Sequence, residues 1–219
     1  MRRVARTLIL ASGSPRRREL LSAAGFDFEI ARPRGAESES SALSMRELTM
    51  LNATRKALEI ARANPEAVVL AADTLVSLEG EVIGKPRDFC DAVRIIKMLR
   101  GRTHQVCTAV FLCAPADNRQ TSFNVVSHVT FRQLNDDEIV GYLTKINPLD
   151  KAGAYAAQAE GADIIARVDG SFTNVVGLPM DETIRVLRDF GVTPRGHSLG
   201  GERKQTSSLL PSGSSKKNA

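Results

Sequence analysis

Residues 8–21, LILASGSPRRRELL, limit the possible folds of this chain more than any other stretch. Leu8 to Ala11 is an apolar run that reads as a buried strand, and Ser12-Gly13 stops it. Ser14 can cap a following helix, and Pro15 stands at its first position, where the missing N–H costs nothing. Leu20 and Leu21 give that helix an apolar face and Gly25 ends it. A small-residue loop thus joins a strand to a helix N-terminus, with Arg16, Arg17 and Arg18 in the first turn. Free backbone N–H groups, the helix dipole and guanidinium groups all favour an anion there, phosphate above all. Cations at this end oppose the dipole, so the arginines answer to something outside the helix. The loop is neither GxxxxGK[ST] nor GxGxxG. On spacing alone, a solvated basic helix start explains the arginines equally well.

Further along, Phe26 to Ala31 reads as a second strand and Arg32 to Ala42 as a polar loop. Ser44-Met45-Arg46-Glu47 is a capping box opening a long helix to about Ala63, with Leu48, Leu51, Ala57, Leu58 and Ala61 on the buried side. Ala67 to Ala72 is a central strand with Asp73 at its end. Glu79-Gly80 is a hairpin turn between Val76–Leu78 and Glu81–Ile83. Asp88 caps a helix to about Leu99, closed by Gly101. Val106–Cys113 and Phe123–Phe131 form a second hairpin around residues 115–118. Asn135 begins another helix, Ala162–Val168 is a strand, and Pro179 opens a last helix ending near Gly191. Alternating helices and strands with two hairpins predict an α/β fold with a mixed sheet.

Charge narrows the function. The net charge is +5, but residues 194–219 carry +4 of it, leaving a nearly neutral body. That argues against a general nucleic-acid surface, as do the two tyrosines (Tyr142 and Tyr155) and the absence of tryptophan. The tail is rich in Ser, Gly and Lys and is expected to be disordered, so residues 1–193 form the domain. Cys90, Cys107 and Cys113 form no CxxC pair and read as small buried thiols. The three histidines show no metal-ligand spacing. With no apolar stretch of membrane-spanning length and no secretory core at the start, a cytoplasmic protein is expected, without membrane partners.

The motifs then converge on one family. ASGSPRR followed by ELL resembles the signature of the Maf-like nucleotide pyrophosphatases, also called septum-formation Maf proteins. Ala72-Asp73-Thr74, Gly84-Lys85-Pro86, Asp150-Lys151-Ala152-Gly153-Ala154-Tyr155 and Asn174-Val175-Val176-Gly177-Leu178-Pro179 match its later blocks in order, across about residues 7–192. The resemblance implies an elongated mixed sheet flanked by helices, with two lobes around a cleft, related to the inosine triphosphate pyrophosphatase fold. It also implies hydrolysis of a nucleoside triphosphate to the monophosphate and pyrophosphate, with Asp73 as general base.

Carried over residue by residue, the substrate-binding set is Ser12, Arg16, Lys56, Thr74, Lys85 and Gln158, with Lys151 a weaker candidate. Arg16, Thr74 and Gln158 match the subfamily acting on dTTP and UTP, with modified pyrimidine triphosphates as a further class. The Gln158 amide both donates and accepts, which suits the O4/N3–H edge of uracil or thymine. The family pattern has an acidic pair in the loop after the second strand. Here Gly35-Ala36-Glu37 supplies one member, so Glu37 and Asp73 are the expected metal ligands, for Mg²⁺ or alternatively Mn²⁺. A homodimer is left open. The competing readings are the same chemistry on 7-methyl-GTP or another purine nucleotide, and a non-enzymatic nucleic-acid-binding factor in cell division.

Overall fold

The computed structural model describes residues 6–195, without the side chains of 159–161; the expected disordered tail lies outside the described residues from 196 onward. In chain order the elements are β1 (Leu8–Ala11), α1 (Pro15–Ala23), β2 (Glu29–Ala31), α2 (Met45–Ala63), β3 (Val68–Leu78), β4 (Glu81–Ile83) and α3 (Phe89–Leu99). There follow β5 (Thr103–Ala114), β6 (Arg119–Phe131), α4 (Asp136–Lys145), β7 (Ile165–Asp169), α5 (Phe172–Val176) and α6 (Met180–Asp189). The strands form one seven-stranded mixed sheet in the order β2-β1-β3-β5-β6-β7, with β4 also paired to β3. β1 pairs in parallel with β2 and β3, and the other pairings are antiparallel. Among the described residues no helix is long and apolar enough to cross a membrane.

Alternation along the strands sorts the core. Leu8, Leu10, Val68, Leu70 and Ala72 face one side, where Leu21 of α1 and Val186 and Leu187 of α6 cover them. Ile9, Ala11, Val69 and Ala71 face the other side, under Ala53, Ala57 and Ala61 of α2. A separate core, built from Val76, Leu78, Val106, Val129 and Phe131 against α3 and α4, fills the opposite end of the sheet. Two lobes thus share the long strands β3, β5 and β6.

Several local expectations hold. Ser44 and Glu47 form the capping box, and Asp88 accepts from Asp91 N at 2.7 Å. Glu79 and Gly80 both take positive φ (52° and 90°), as the twist of a two-residue hairpin requires. Others need correction. β3 does not end before Asp73 but runs on to Leu78, because β5 pairs it without a break from Val69 to Ser77. Leu51 and Leu58 are exposed, since α2 turns its alanines and Asn52 to the sheet. The second strand shortens to Glu29–Ala31. The strand expected from Ala162 begins at Ile165, after a 3₁₀ turn over Ala159–Ile164. Ser14 occupies the N-cap of α1 without a side-chain cap; instead its N–H donates to Ser12 Oγ at 3.2 Å. Cys90 is exposed, while Cys107 and Cys113 are buried.

Candidate active site

A gap beside β3 locates the site. On the side away from β5, β3 pairs with β1 through Val68–Leu70 and with β4 through Val76–Leu78. Between those partners, Asp73, Thr74 and Leu75 border a cleft of about 1140 Å³. Chain ends converge there: Ser12 to Arg17 after β1, Gly84 and Lys85 after β4, Glu37 and Ser38 from the loop before α2, and Asp150 to Ala157 from the loop after α4. The expected carboxylate at a sheet rim is therefore at a rim made by β1 stopping, not by β3 ending.

Asp73 and Thr74 are neighbours on a strand and so point to opposite faces of the sheet. Asp73 joins the face covered by α2. It is 4% exposed and its Oδ1 accepts from Lys56 Nζ at 2.6 Å. Asn52 Nδ2 approaches Oδ2 at 3.4 Å. The same Lys56 ammonium donates to Glu37 Oε1 at 2.5 Å, and Lys85 Nζ reaches Glu37 Oε2 at 3.4 Å. Asn52, Lys56 and Glu59 stand on one face of α2 at helical spacing. All three hold the preceding loop: Asn52 exchanges bonds with the Ser38 backbone, and Glu59 accepts from Arg34 N and Gly35 N. Burial pushes Glu37 up, but the Lys56 hydrogen bond and charge, with Lys85, more than offset it and hold its carboxyl at about 2.

Thr74 joins the other face, beside α1. There Arg17, which the sequence does not distinguish from Arg16 and Arg18, turns inward. It lies one helical turn before buried Leu21, on the same stripe; that i, i+4 spacing is the signal that could have found it. Its guanidinium donates from Nε to Gly177 O at 2.8 Å, from Nη1 to Ser12 Oγ at 3.2 Å and from Nη2 to Thr74 Oγ1 at 3.0 Å. Burial lowers its pKa, opposed by the charges of Asp73 and Glu37, and a guanidinium stays protonated regardless. Among the described residues no carboxylate forms an ion pair with it. A buried cation held only by neutral oxygens leaves its charge for a ligand.

The remaining expected residues differ in placement. Ser12, Lys56, Asp73, Thr74, Lys85, Glu37 and Arg16 all line the cleft, as does Lys151. Arg16 Nη1 lies 3.5 Å from Asp150 Oδ2 at the mouth. Gln158 is half-buried but does not line the cleft; it follows Ala156 and Ala157, which do. The wall near those alanines is apolar, made by Val76, Val106, Tyr155 and Val175. Tyr155 is fixed by His104 Nε2 at 2.9 Å from its hydroxyl and by edge contacts with His104 and Phe131. Gly153 (φ 73°) passes so close that a Cβ there would lie 3.1 Å from both Tyr155 and Val76. Burial holds His104 down at about 4, so it is neutral at physiological pH.

Chemically, one end of the cleft gathers Arg17, Arg16, Lys56, Lys85 and the N-terminus of α1, which suits a polyphosphate. The other end is apolar with a tyrosine ring, which suits a base. Glu37 and Asp73 stand either side of one ammonium, so their oxygens already surround a cation position. Two hard carboxylates with phosphate and water oxygens match what Mg²⁺ takes.

A family model described as Maf-like protein matches residues 7–190. The dTTP/UTP pyrophosphatase of Bacillus pumilus (strain SAFR-032) is 44% identical over 187 residues, covering 85% of this chain and 98% of its own. That of Salmonella typhimurium (strain LT2) is 45% identical over 186 residues, covering 84% and 93%. Among solved structures, the Ham1 protein of Staphylococcus aureus aligns over 84% of this chain and 97% of its own at 16% identity, with a TM-score of 0.45.

Proposed function

The chain belongs to the Maf-like protein family, and from that premise we propose that it is a nucleoside triphosphate pyrophosphatase acting on dTTP and UTP in the cytoplasmic nucleotide pool. The single observation that carries the chemistry is Asp73, buried at the polyphosphate end of the cleft and hydrogen-bonded to Lys56 at 2.6 Å. Water attacks phosphorus at the α–β anhydride, and the products are a nucleoside monophosphate and pyrophosphate. Asp73 accepts the proton of that water. Lys56 orients the carboxylate in the free protein and moves towards the phosphate oxygens as they arrive. Arg17, Arg16 and Lys85 bind the chain of phosphates and stabilise the charge that grows on the leaving pyrophosphate. A divalent cation, Mg²⁺ or Mn²⁺, would be held by Glu37 and Asp73 and would supply further Lewis-acid stabilisation of phosphate charge.

Preference for pyrimidines is supported by relatives that carry the dTTP/UTP name at 44–45% identity; Gln158, next in sequence to Ala157 of the cleft wall, is the residue whose amide would read the base. Every group invoked comes from one chain, with no nucleic-acid surface required. The test is a panel of nucleoside triphosphates scored for pyrophosphate release with Mg²⁺ or Mn²⁺. UTP and dTTP should lead; preference for a guanine nucleotide would favour the purine alternative, and no release from any would refute the assignment.

A further inference from the structure

Behind Thr74 the hydrogen bonds run in one direction only. Thr74 and Thr108 are cross-strand partners in β3 and β5, and their hydroxyls lie 2.9 Å apart. Thr108 Oγ1 also lies 2.9 Å from the carbonyl of Asn174, which can only accept. A threonine hydroxyl has one proton. Thr108 gives its proton to Asn174 O, so Thr74 must give its own to Thr108. Thr74 then accepts from Arg17 Nη2 at 3.0 Å. The order is guanidinium to Thr74 to Thr108 to carbonyl, and such chains polarise each link in turn.

The last acceptor is itself fixed. Asn174 is fully buried; its side chain accepts from Thr108 N at 3.1 Å and donates to Val106 O at 3.0 Å and Ser127 Oγ at 2.9 Å. Two residues of the same segment therefore bracket Arg17. Asn174 O ends the chain from Nη2, and Gly177 O takes Nε directly at 2.8 Å.

We propose that Thr108 is a positioning residue for the phosphate-binding guanidinium of Arg17, acting through Thr74. The inference rests on the reading of the cleft as a triphosphate site. The effect of Thr108 on turnover passes through Arg17 to the phosphates, which every nucleotide substrate shares.

Thr108→Val keeps the branched shape and deletes the hydroxyl, so Thr74 loses its acceptor and can turn away from Arg17. Thr108→Ser keeps the hydroxyl. We expect kcat/KM of Thr108→Val to fall about 3- to 10-fold, the scale of one hydrogen bond, by the same factor on UTP, dTTP and the weaker purine substrates. Thr108→Ser should stay within about 2-fold of wild type at matched folded fraction. A purely structural role lowers Tm without changing turnover per folded molecule. Unchanged kcat/KM in folded Thr108→Val, an equal loss in Thr108→Ser, or a loss confined to one base each overturns the proposal. If Thr108→Val fails to fold, Thr74→Val cuts the chain one link closer and must lower kcat/KM on UTP and dTTP by at least as much; an unchanged kcat/KM overturns the proposal. Wild-type protein that releases pyrophosphate from no triphosphate instead overturns the reading of the site, before the variants are compared.

Discussion

Lys56→Met keeps the length of the side chain and removes the ammonium that two carboxylates share. Lys56 Nζ lies 2.6 Å from Asp73, and the two side chains are only 14% and 6% exposed. In the variant Asp73 retains one long bond, from Asn52 at 3.4 Å, and faces Glu37 with no cation between them. Removing one partner of a fully buried pair costs about 3–5 kcal/mol. The cleft wall is wetter than a core, and Glu37 is 40% exposed, so its bond to Lys56 adds little. The expected loss of stability is therefore about 1–3 kcal/mol, or roughly 5- to 150-fold in the unfolding constant. Because the penalty is a stranded carboxylate, Asp73→Asn should relieve it. A double-mutant cycle over wild type, Lys56→Met, Asp73→Asn and the pair should show a coupling of at least about 1 kcal/mol. The chain has no tryptophan, so urea unfolding at neutral pH is best followed by far-ultraviolet circular dichroism. Lys56→Met as stable as wild type, or two strictly additive single effects, would refute the argument.

Asp73→Asn should keep the fold and lower the rate of pyrophosphate release by about 10²-fold or more; near-normal turnover would remove Asp73 as the base. Glu37 has a folded pKa of about 2 against an ordinary value of 4.5. The unfolded chain thus binds the proton first as pH falls, and the stability this carboxylate contributes is complete above about 4.5 and lost towards 2. The Tm gap between wild type and Glu37→Gln should close across that window; a gap constant from pH 6 to 2.5 would show that the lysines do not hold it. Gln158→Glu should shift the ratio of kcat/KM between UTP and a guanine nucleotide by about 5- to 150-fold, and equal losses on every substrate would mean that Gln158 only shapes its segment.

What the sequence made legible was local. The Ser44–Glu47 capping box, the Glu79-Gly80 turn and the strand–loop–helix of residues 8–23 each follow from a few adjacent residues. Asp73 and Lys85 were identifiable from their blocks. Their joint geometry was not, because it depends on β1 stopping at Ala11 while β3 continues, and on which strands pair. Arg17 was hidden by its neighbours: three arginines in a row look alike until the helical stripe through Leu21 is drawn. Asn174, Thr108 and Ser127 carry no sign in the sequence of sharing one buried network, since they come from three elements up to 66 positions apart. Leu51 and Leu58 misled in the opposite sense, as α2 packs its alanines closely against the sheet and leaves those leucines outside.

The continuity of β3, β5 and β6 sets how the cleft can move. Two lobes connected by a linker open by rotating about it. Here three hydrogen-bonded strands cross from one lobe to the other, and the remaining crossing, at α5, is pinned to β5 by Asn174. Opening by rotation would have to bend a ladder of backbone hydrogen bonds, so the lobes behave as one stiff frame. Entry and exit of a nucleotide then fall to the rim: the 33–43 loop held by α2, and the exposed ends of Arg16 and Lys85. In hydrogen-exchange terms, the amides of Asp73 and Ala109, inside the β3–β5 ladder, should exchange more slowly than those of the 33–43 loop, whose amides bond to side chains of α2 or lie outside any ladder. Asp73 stays in place while the cations at the rim are free to move.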